Sequence, residues 1–314
     1  MEPKTHTKAS VACWVLVGPT ASGKSAVALE LARRHPVEIV SVDSMQVYRG
    51  MDIGTAKPSP EEMGRVTHHM VDVLEPGEHC NVGRFCRMAR AAIRQIRASG
   101  MRPLLVGGSP LYIKGLIWGL VNAPARDAAV RRRLQDELDR LGCEALHARL
   151  ALMDAEAARR IHPNDVQRLI RALEVCELTG ARASAGQRQF AGRPRLRHVM
   201  VGLRRPRAEL YERIERRVDE MMAGGLLAEV RSLQDSFGPD GTQAVGYKEL
   251  MDYLKGNISL HEAVLLVKQN TRRLAKHQLT WFRHFPQLLW VDARNDETPA
   301  ELARRCGEAF GRSS

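Results

Sequence analysis

Five absences narrow what this chain of 314 residues can be. No C-x-x-C pair occurs: Cys13, Cys80, Cys86, Cys143, Cys176 and Cys306 are scattered, which excludes zinc-knuckle and thiol-redox motifs and suits reduced thiols. No run approaches the roughly 20 apolar residues of a membrane span. The polar opening MEPKTHTKAS lacks the apolar stretch of a signal peptide, so a cytoplasmic protein with no membrane partner is expected. No internal repeat or low-complexity tract appears. Acid, finally, is missing from two long stretches, Ala181 to Arg197 and the span between Glu262 and Asp292. What is present is an ordinary 44% hydrophobic fraction beside an unusual charge balance, 48 Lys and Arg against 36 Asp and Glu, net +12. That balance suits a polyanionic partner, although a basic enzyme without one would look the same.

The chain is organised around Gly18-Pro19-Thr20-Ala21-Ser22-Gly23-Lys24-Ser25, which follows the apolar run 11–17 and opens the helical pattern Ala26 to Arg34. G-x-x-x-x-G-K-S between strand and helix is the phosphate-binding loop. Gly18 and Gly23 let backbone N–H groups converge on one point, and the helix adds its positive end there. Lys24 is placed to neutralise a terminal phosphate and the Ser25 hydroxyl to ligate a Mg2+ ion carried by it. The loop specifies a di- or triphosphate and leaves the reaction open.

Val37 to Val42 reads as a second strand, and Asp43 to Pro58, without periodicity, as an active-site loop. Ligands bind outside the carboxyl ends of strands in open α/β sheets, so Asp43 and Lys24 are expected side by side. His68 to Leu74 is a third strand candidate, Val82 to Ala98 a helix and Met101 to Val106 a buried strand. That strand ends on Gly107-Gly108-Ser109; the glycines would let backbone approach a ligand, with Ser109 either at the mouth of the crevice or a plain helix cap. The fold class expected is α/β, a P-loop NTPase-like parallel sheet flanked by helices, with a helical insertion. Residues 1–121 and 198–314 form the core; 122–197, with helices at Ala128–Leu141, Ala155–Ile161 and Val166–Thr179, form the insertion. Arg182, Arg188, Arg193, Arg195 and Arg197 follow in a segment expected to order on an anion. Strand His198–Leu203, helix Arg207–Met222, a loop at Gly246-Tyr247, a helix capped by Ser259 and Glu262 running to Phe285, strand Leu288–Val291 and helix Pro299–Phe310 complete the chain. The two acid-free stretches point to a nucleic-acid surface.

These residues fit a kinase with Asp43 as base, but leave the basic surface unexplained. The chain resembles the tRNA dimethylallyltransferases (isopentenyltransferases) in GPTASGKS at Gly18, SVDSMQVYRGMDIGTAKP at Ser41, HHMVD at His68, LLVGGSPLYIKGL at Leu104, HPNDVQRLIRALEV at His162, AVGYKEL at Ala244 and NTRRLAKHQLTWFR at Asn270. The resemblance implies transfer of a dimethylallyl group from dimethylallyl diphosphate to N6 of the adenosine 3′ of the anticodon. By that resemblance Asp43 is the general base, while Lys24, Ser109 and Arg217 act with the loop N–H groups and Mg2+ on the diphosphate. Ser109-Pro110 stands where the family usually has Thr-Gly, so the hydroxyl and its role are kept while the loop shape is left open. The resemblance further implies tRNA contacts at Asp43, Ser44, Met45, Gln46, Ser109, Arg131, Gln167, Arg168, Leu169, Ile170, Arg171, Gln243, Ala244, Val245, Gly246, Tyr247 and Lys248. The added C-terminal zinc finger of some members is not expected, and a monomer is. The alternatives are an adenylate isopentenyltransferase acting on free AMP, ADP or ATP, a small-molecule P-loop kinase, or a non-catalytic RNA-binding protein that uses the P-loop as a switch.

Overall fold

A computed structural model describes residues 12–120, 124, 126–185, 192–294 and 296–312. The chain divides into two compact units, Met1–Ile117 with Leu196–Ser314, and Trp118–Arg195.

The first unit is built on strands β1 (Cys13–Val17), β2 (Val37–Ser41), β3 (His68–His69), β4 (Arg102–Gly107), β5 (His198–Arg204) and β6 (Leu289–Asp292). They form one parallel sheet in the order β3-β2-β4-β1-β5-β6. The chain runs outward from β1 to β2 and β3, returns with β4 into the place beside β1, and crosses to the other side of β1 with β5. Central β1 is buried along its whole length, which its unbroken apolar sequence anticipates. Around the sheet lie α1 (Lys24–Arg34), α2 (Pro60–Arg65), α3 (Val82–Ala98) and α4 (Pro110–Ile117) before the second unit, and the helices following β5 after it. One core joins Trp14, Leu16 and Leu104 of the sheet to Val27 and Leu31 of α1 and to Leu302 and Phe310 near the C-terminus.

The second unit is helical: α5 (Ala128–Met153), α6 (Ala155–Arg160) and α7 (Val166–Thr179). Its own core gathers Leu134, Leu138, Leu146, Leu150, Leu169, Ile170 and Leu173. Helix α5 runs beyond the expected end at Leu141 because its halves continue across a kink at Gly142, φ 82°. Asp154, almost wholly buried, caps α6 through Ala157 N–H (3.0 Å) and also accepts Ser184 N–H (2.7 Å). Of the arginine-rich stretch, 186–191, including Arg188, lies outside the described residues, as do the expected boundary positions 121 and 122.

After β5 come α8 (Arg207–Ala223), α9 (Leu226–Leu233), α10 (Tyr247–Leu254), α11 (Leu260–Phe282) and, after β6, α12 (Pro299–Gly311). Two expectations are corrected. The strand predicted over His68–Leu74 stops at His69, since Met70 (φ 65°) and Asp72 (φ 53°) adopt left-handed backbone that a strand cannot continue through. Gly246-Tyr247 is the start of helix α10 rather than a loop: Gly246 takes φ 96°, and Glu249 Oε2 accepts its N–H at 2.8 Å. No helix among the described residues is long and apolar enough to cross a membrane.

Candidate active site

The glycines of the phosphate loop are required by geometry. Gly18 sits where the loop leaves β1; a Cβ there would come within 2.9 Å of the Leu203 carbonyl oxygen on β5. Gly23 caps α1 with φ 97°. Three arginines then hold the loop from outside by its carbonyls and hydroxyl. Arg205 Nε donates to Ser22 O (3.1 Å), Arg213 Nε to Ala21 O (2.9 Å) and Arg217 Nη1 to Thr20 Oγ1 (3.4 Å). Arg213 and Arg217, four residues apart, lie on one face of α8, and Arg205 sits in the turn between β5 and that helix.

A cleft of about 380 Å³ opens over this loop, at the carboxyl ends of β1, β2 and β4. Lys24, Ser25, Asp43, Gln46, Arg213 and Arg217 all line it, so the expected pairing of Lys24 with Asp43 is present. Lys24 Nζ donates to Pro19 O at 2.7 Å. Burial pushes the Lys24 ammonium down to about 7, the Arg217 guanidinium adds to that, and Asp43 acts against it. Burial likewise lowers Arg217, with Asp43 again opposing. Two cations held close at the end of a helix that already carries positive dipole make a site short of negative charge. Asp43 supplies one charge. Its Oδ1 accepts the N–H groups of Met45 (2.9 Å) and Gln46 (3.4 Å), fixing the carboxylate and leaving Oδ2 outside the turn. Gln46 is fully committed: Oε1 accepts the Ser41 hydroxyl (2.7 Å), while Nε2 donates to the carbonyls of Thr55 and Ala56 (3.2 Å each). Such a Gln shapes the loop.

The double glycine at the end of β4 lines the cleft and is also required by packing. A Cβ on Gly107 would fall 2.0 Å from Val42 O, and one on Gly108 2.6 Å from Gln278 Nε2. Ser109 stands at the start of α4, its carbonyl accepting Ile113 N–H at 3.1 Å.

The residues expected to touch tRNA separate into exposed and buried sets. Gln167, Arg168, Gln243 and Lys248 are exposed; Ser44, Met45 and Val245 are half-buried. Leu169 and Ile170 belong to the core of the second unit, and Ala244 and Tyr247 to the interior of the first, so their side chains are not at the surface. Arg131 and Arg171 converge on Glu174, a fully buried carboxylate, at 3.3 and 2.7 Å. Burial raises the Glu174 carboxyl, but Arg171, the Asp127 N–H and Arg131 outweigh it and hold it below the usual range.

Two residues escaped the sequence reading. Gln278 of α11, 7% exposed, accepts Thr20 N–H through Oε1 at 2.8 Å. Its signal is a glutamine on the buried stripe Ala275, Gln278, Phe282, where a polar group demands a partner. Glu229 of α9 accepts three successive backbone N–H groups of the active-site loop, Asp52 (3.0 Å), Ile53 (2.7 Å) and Gly54 (3.1 Å), and the Tyr247 hydroxyl at 2.5 Å. Nothing in its local sequence announces that role.

Among the described residues no group of three or more His, Cys, Asp or Glu side chains could hold a metal ion. The Ser25 hydroxyl and the Asp43 carboxylate are among the oxygen groups that line the cleft, and hard oxygens of this kind suit a hard cation arriving on a phosphate.

The IPP transferase family model matches residues 46–285, and that for isopentenyl transferase matches 11–73. The tRNA dimethylallyltransferase 1 of Pelobacter propionicus is 48% identical over 93% of this chain and 95% of its own length. The tRNA dimethylallyltransferase of Geobacter metallireducens is 50% identical over 88% and 91%. Among solved structures, the tRNA isopentenylpyrophosphate transferase of Bacillus halodurans (TM-score 0.69, 41% identity, 96% of this chain and 97% of that one) has the same fold. So does a eukaryotic dimethylallyltransferase described as acting on tRNA (TM-score 0.80, 26% identity, 97% and 80%). With the family model matched over most of the chain and near-half identity over 88% and 93% of it in agreement, the chain belongs to the IPP transferase family, that of the tRNA dimethylallyltransferases.

Proposed function

We propose that the protein transfers the dimethylallyl group of dimethylallyl diphosphate to N6 of the adenosine 3′ of the anticodon in tRNA, releasing diphosphate. The observation that carries this is the single cleft in which Asp43 faces Lys24 and Arg217 over the phosphate loop. The names borne by the relatives supply the acceptor and the group transferred.

The exocyclic amine of adenine is a weak nucleophile, since its lone pair is delocalised into the ring. The C1–N6 bond forms as the allylic C1–O bond breaks; the electron pair of that bond leaves on the diphosphate, and the N6 proton passes to Asp43. Lys24, Arg217 and the loop N–H groups stabilise the charge that develops on the leaving group. Ser25 would hold Mg2+, which would supply positive charge at that same group. Ser109 orients diphosphate and amine. An anticodon loop is single-stranded, so its target base can swing into the cleft at modest cost, while Lys and Arg hold the backbone. Exposed Gln167, Arg168, Gln243 and Lys248 belong to that grip, Arg131 and Arg171 present a pair of guanidinium groups set by Glu174, and the helical second unit serves tRNA binding. The enzyme works as a monomer in the cytoplasm.

The test is one incubation with Mg2+, labelled dimethylallyl diphosphate and either an anticodon stem-loop or AMP. Label on the stem-loop alone is expected. Label on AMP would transfer the assignment to free-nucleotide prenylation, and label on neither would refute the transferase reading.

A further inference from the structure

Gln278 is the one polar side chain on the buried stripe of α11, whose other buried members are Ala263, Val267, Ala275 and Phe282. A carboxamide taken out of water needs partners at both ends. Its oxygen end has one: Thr20 N–H lies 2.8 Å from Oε1. A backbone N–H can only donate, so this contact fixes which end of the carboxamide is oxygen. The NH2 end therefore points away from Thr20. It lies against the turn after β4, where a Cβ on Gly108 would sit 2.6 Å from Nε2 and 3.4 Å from Gly18 O. Gly108 is thus the residue that makes room for this amide. Gln278, Gly107 and Gly108 all line the cleft that holds Lys24 and Asp43. Among the described residues no acceptor takes the Nε2 protons.

We propose that Gln278 is a diphosphate-binding residue whose carboxamide, anchored by Thr20, gives an Nε2 proton to a phosphate oxygen seated in the cleft. The assignment rests on the transferase reading, since dimethylallyl diphosphate is the anion concerned. Its chemistry differs from that of the neighbouring cations. A neutral donor locked in direction by the phosphate loop selects position rather than charge, and it ties the loop after β1 to the turn that carries Ser109.

Inorganic diphosphate is the probe, titrated calorimetrically with Mg2+ into the full chain and into Gln278→Glu and Gln278→Met, with Tm recorded for each. Glu keeps an acceptor for Thr20 N–H but turns an anionic oxygen toward the ligand; Met removes both ends at similar volume. A hydrogen bond to a charged group contributes about 10–100-fold in affinity. Gln278→Glu is expected to weaken diphosphate by at least that factor and Gln278→Met by about tenfold, with Tm within a few degrees and affinity for an anticodon stem-loop within twofold. Unchanged diphosphate affinity in Gln278→Glu, or a loss matched by a collapse in Tm in both variants, would overturn the assignment. Failure of the unsubstituted chain to bind diphosphate would overturn the transferase reading itself and this assignment with it, a result distinguishable from the first because it needs no variant.

Discussion

Glu229→Gln should loosen the active-site loop by an amount that the geometry lets one work out. One carboxylate oxygen of Glu229 accepts Asp52 and Ile53 N–H and the other accepts Gly54 N–H and the Tyr247 hydroxyl. A carboxamide can accept at one end only. Its oxygen would keep Asp52 and Ile53, and its NH2 could donate to Tyr247 Oη if that hydroxyl turned. Gly54 N–H would then face a donor. One orphaned, half-buried N–H and the loss of charge assistance on the remaining bonds together cost about 2–3 kcal/mol. Tyr247→Phe removes one hydrogen bond and keeps the ring, at about 1 kcal/mol. The ring matters separately: a Cβ on Gly54 would lie 2.4 Å from it. The readout is amide hydrogen exchange over 50–56, where 2–3 kcal/mol corresponds to roughly 30–150-fold faster opening. Because the two residues share a bond, the double variant should fall short of additivity by about 1 kcal/mol. Exchange in Glu229→Gln within threefold of the parent, or strict additivity, would refute the clamp.

Lys24 gives a pH prediction. Its folded value of about 7 lies below the usual 10.5, so between those values the unfolded chain holds a proton that the folded chain does not, and stability rises with pH across that window. A bound diphosphate restores the proton. Binding at pH 8 should therefore take up a proton, seen as a dependence of calorimetric heat on buffer ionisation enthalpy, and affinity should fall as pH rises above 7; Lys24→Met should abolish both, and uptake persisting in it would assign the proton elsewhere. Affinity for tRNA should fall steeply with salt, as it does when several phosphates are neutralised by Lys and Arg, and a flat response would remove the basic-surface argument.

What was legible in the sequence is what depends on neighbours along the chain. Buried parallel strands show as apolar runs, and the phosphate loop as glycines at fixed offsets, so the sheet and Lys24 with Asp43 could be placed. His68–Leu74 looked like another such run, but the left-handed backbone at Met70 and Asp72 is set by the packing of that turn and leaves no pattern. Tyr247 was assigned to tRNA through a motif, and a motif does not distinguish a residue that touches RNA from one that holds the surface that does. Its burial under Glu229 argues for the latter. Gln278 and Glu229 were missed because their partners lie 258 and 176 positions away, at Thr20 and Ile53. Only the fold brings α11 and α9 onto the loops they fix.

The central claim is that Asp43 takes the N6 proton in the cleft above the phosphate loop. It is tested most directly by single-turnover transfer of labelled dimethylallyl to an anticodon stem-loop by Asp43→Ala, with RNA binding measured on the same preparation. Transfer should be abolished while binding stays within a few-fold. Retained transfer with a large loss of binding would contradict the claim and make Asp43 a tRNA contact alone.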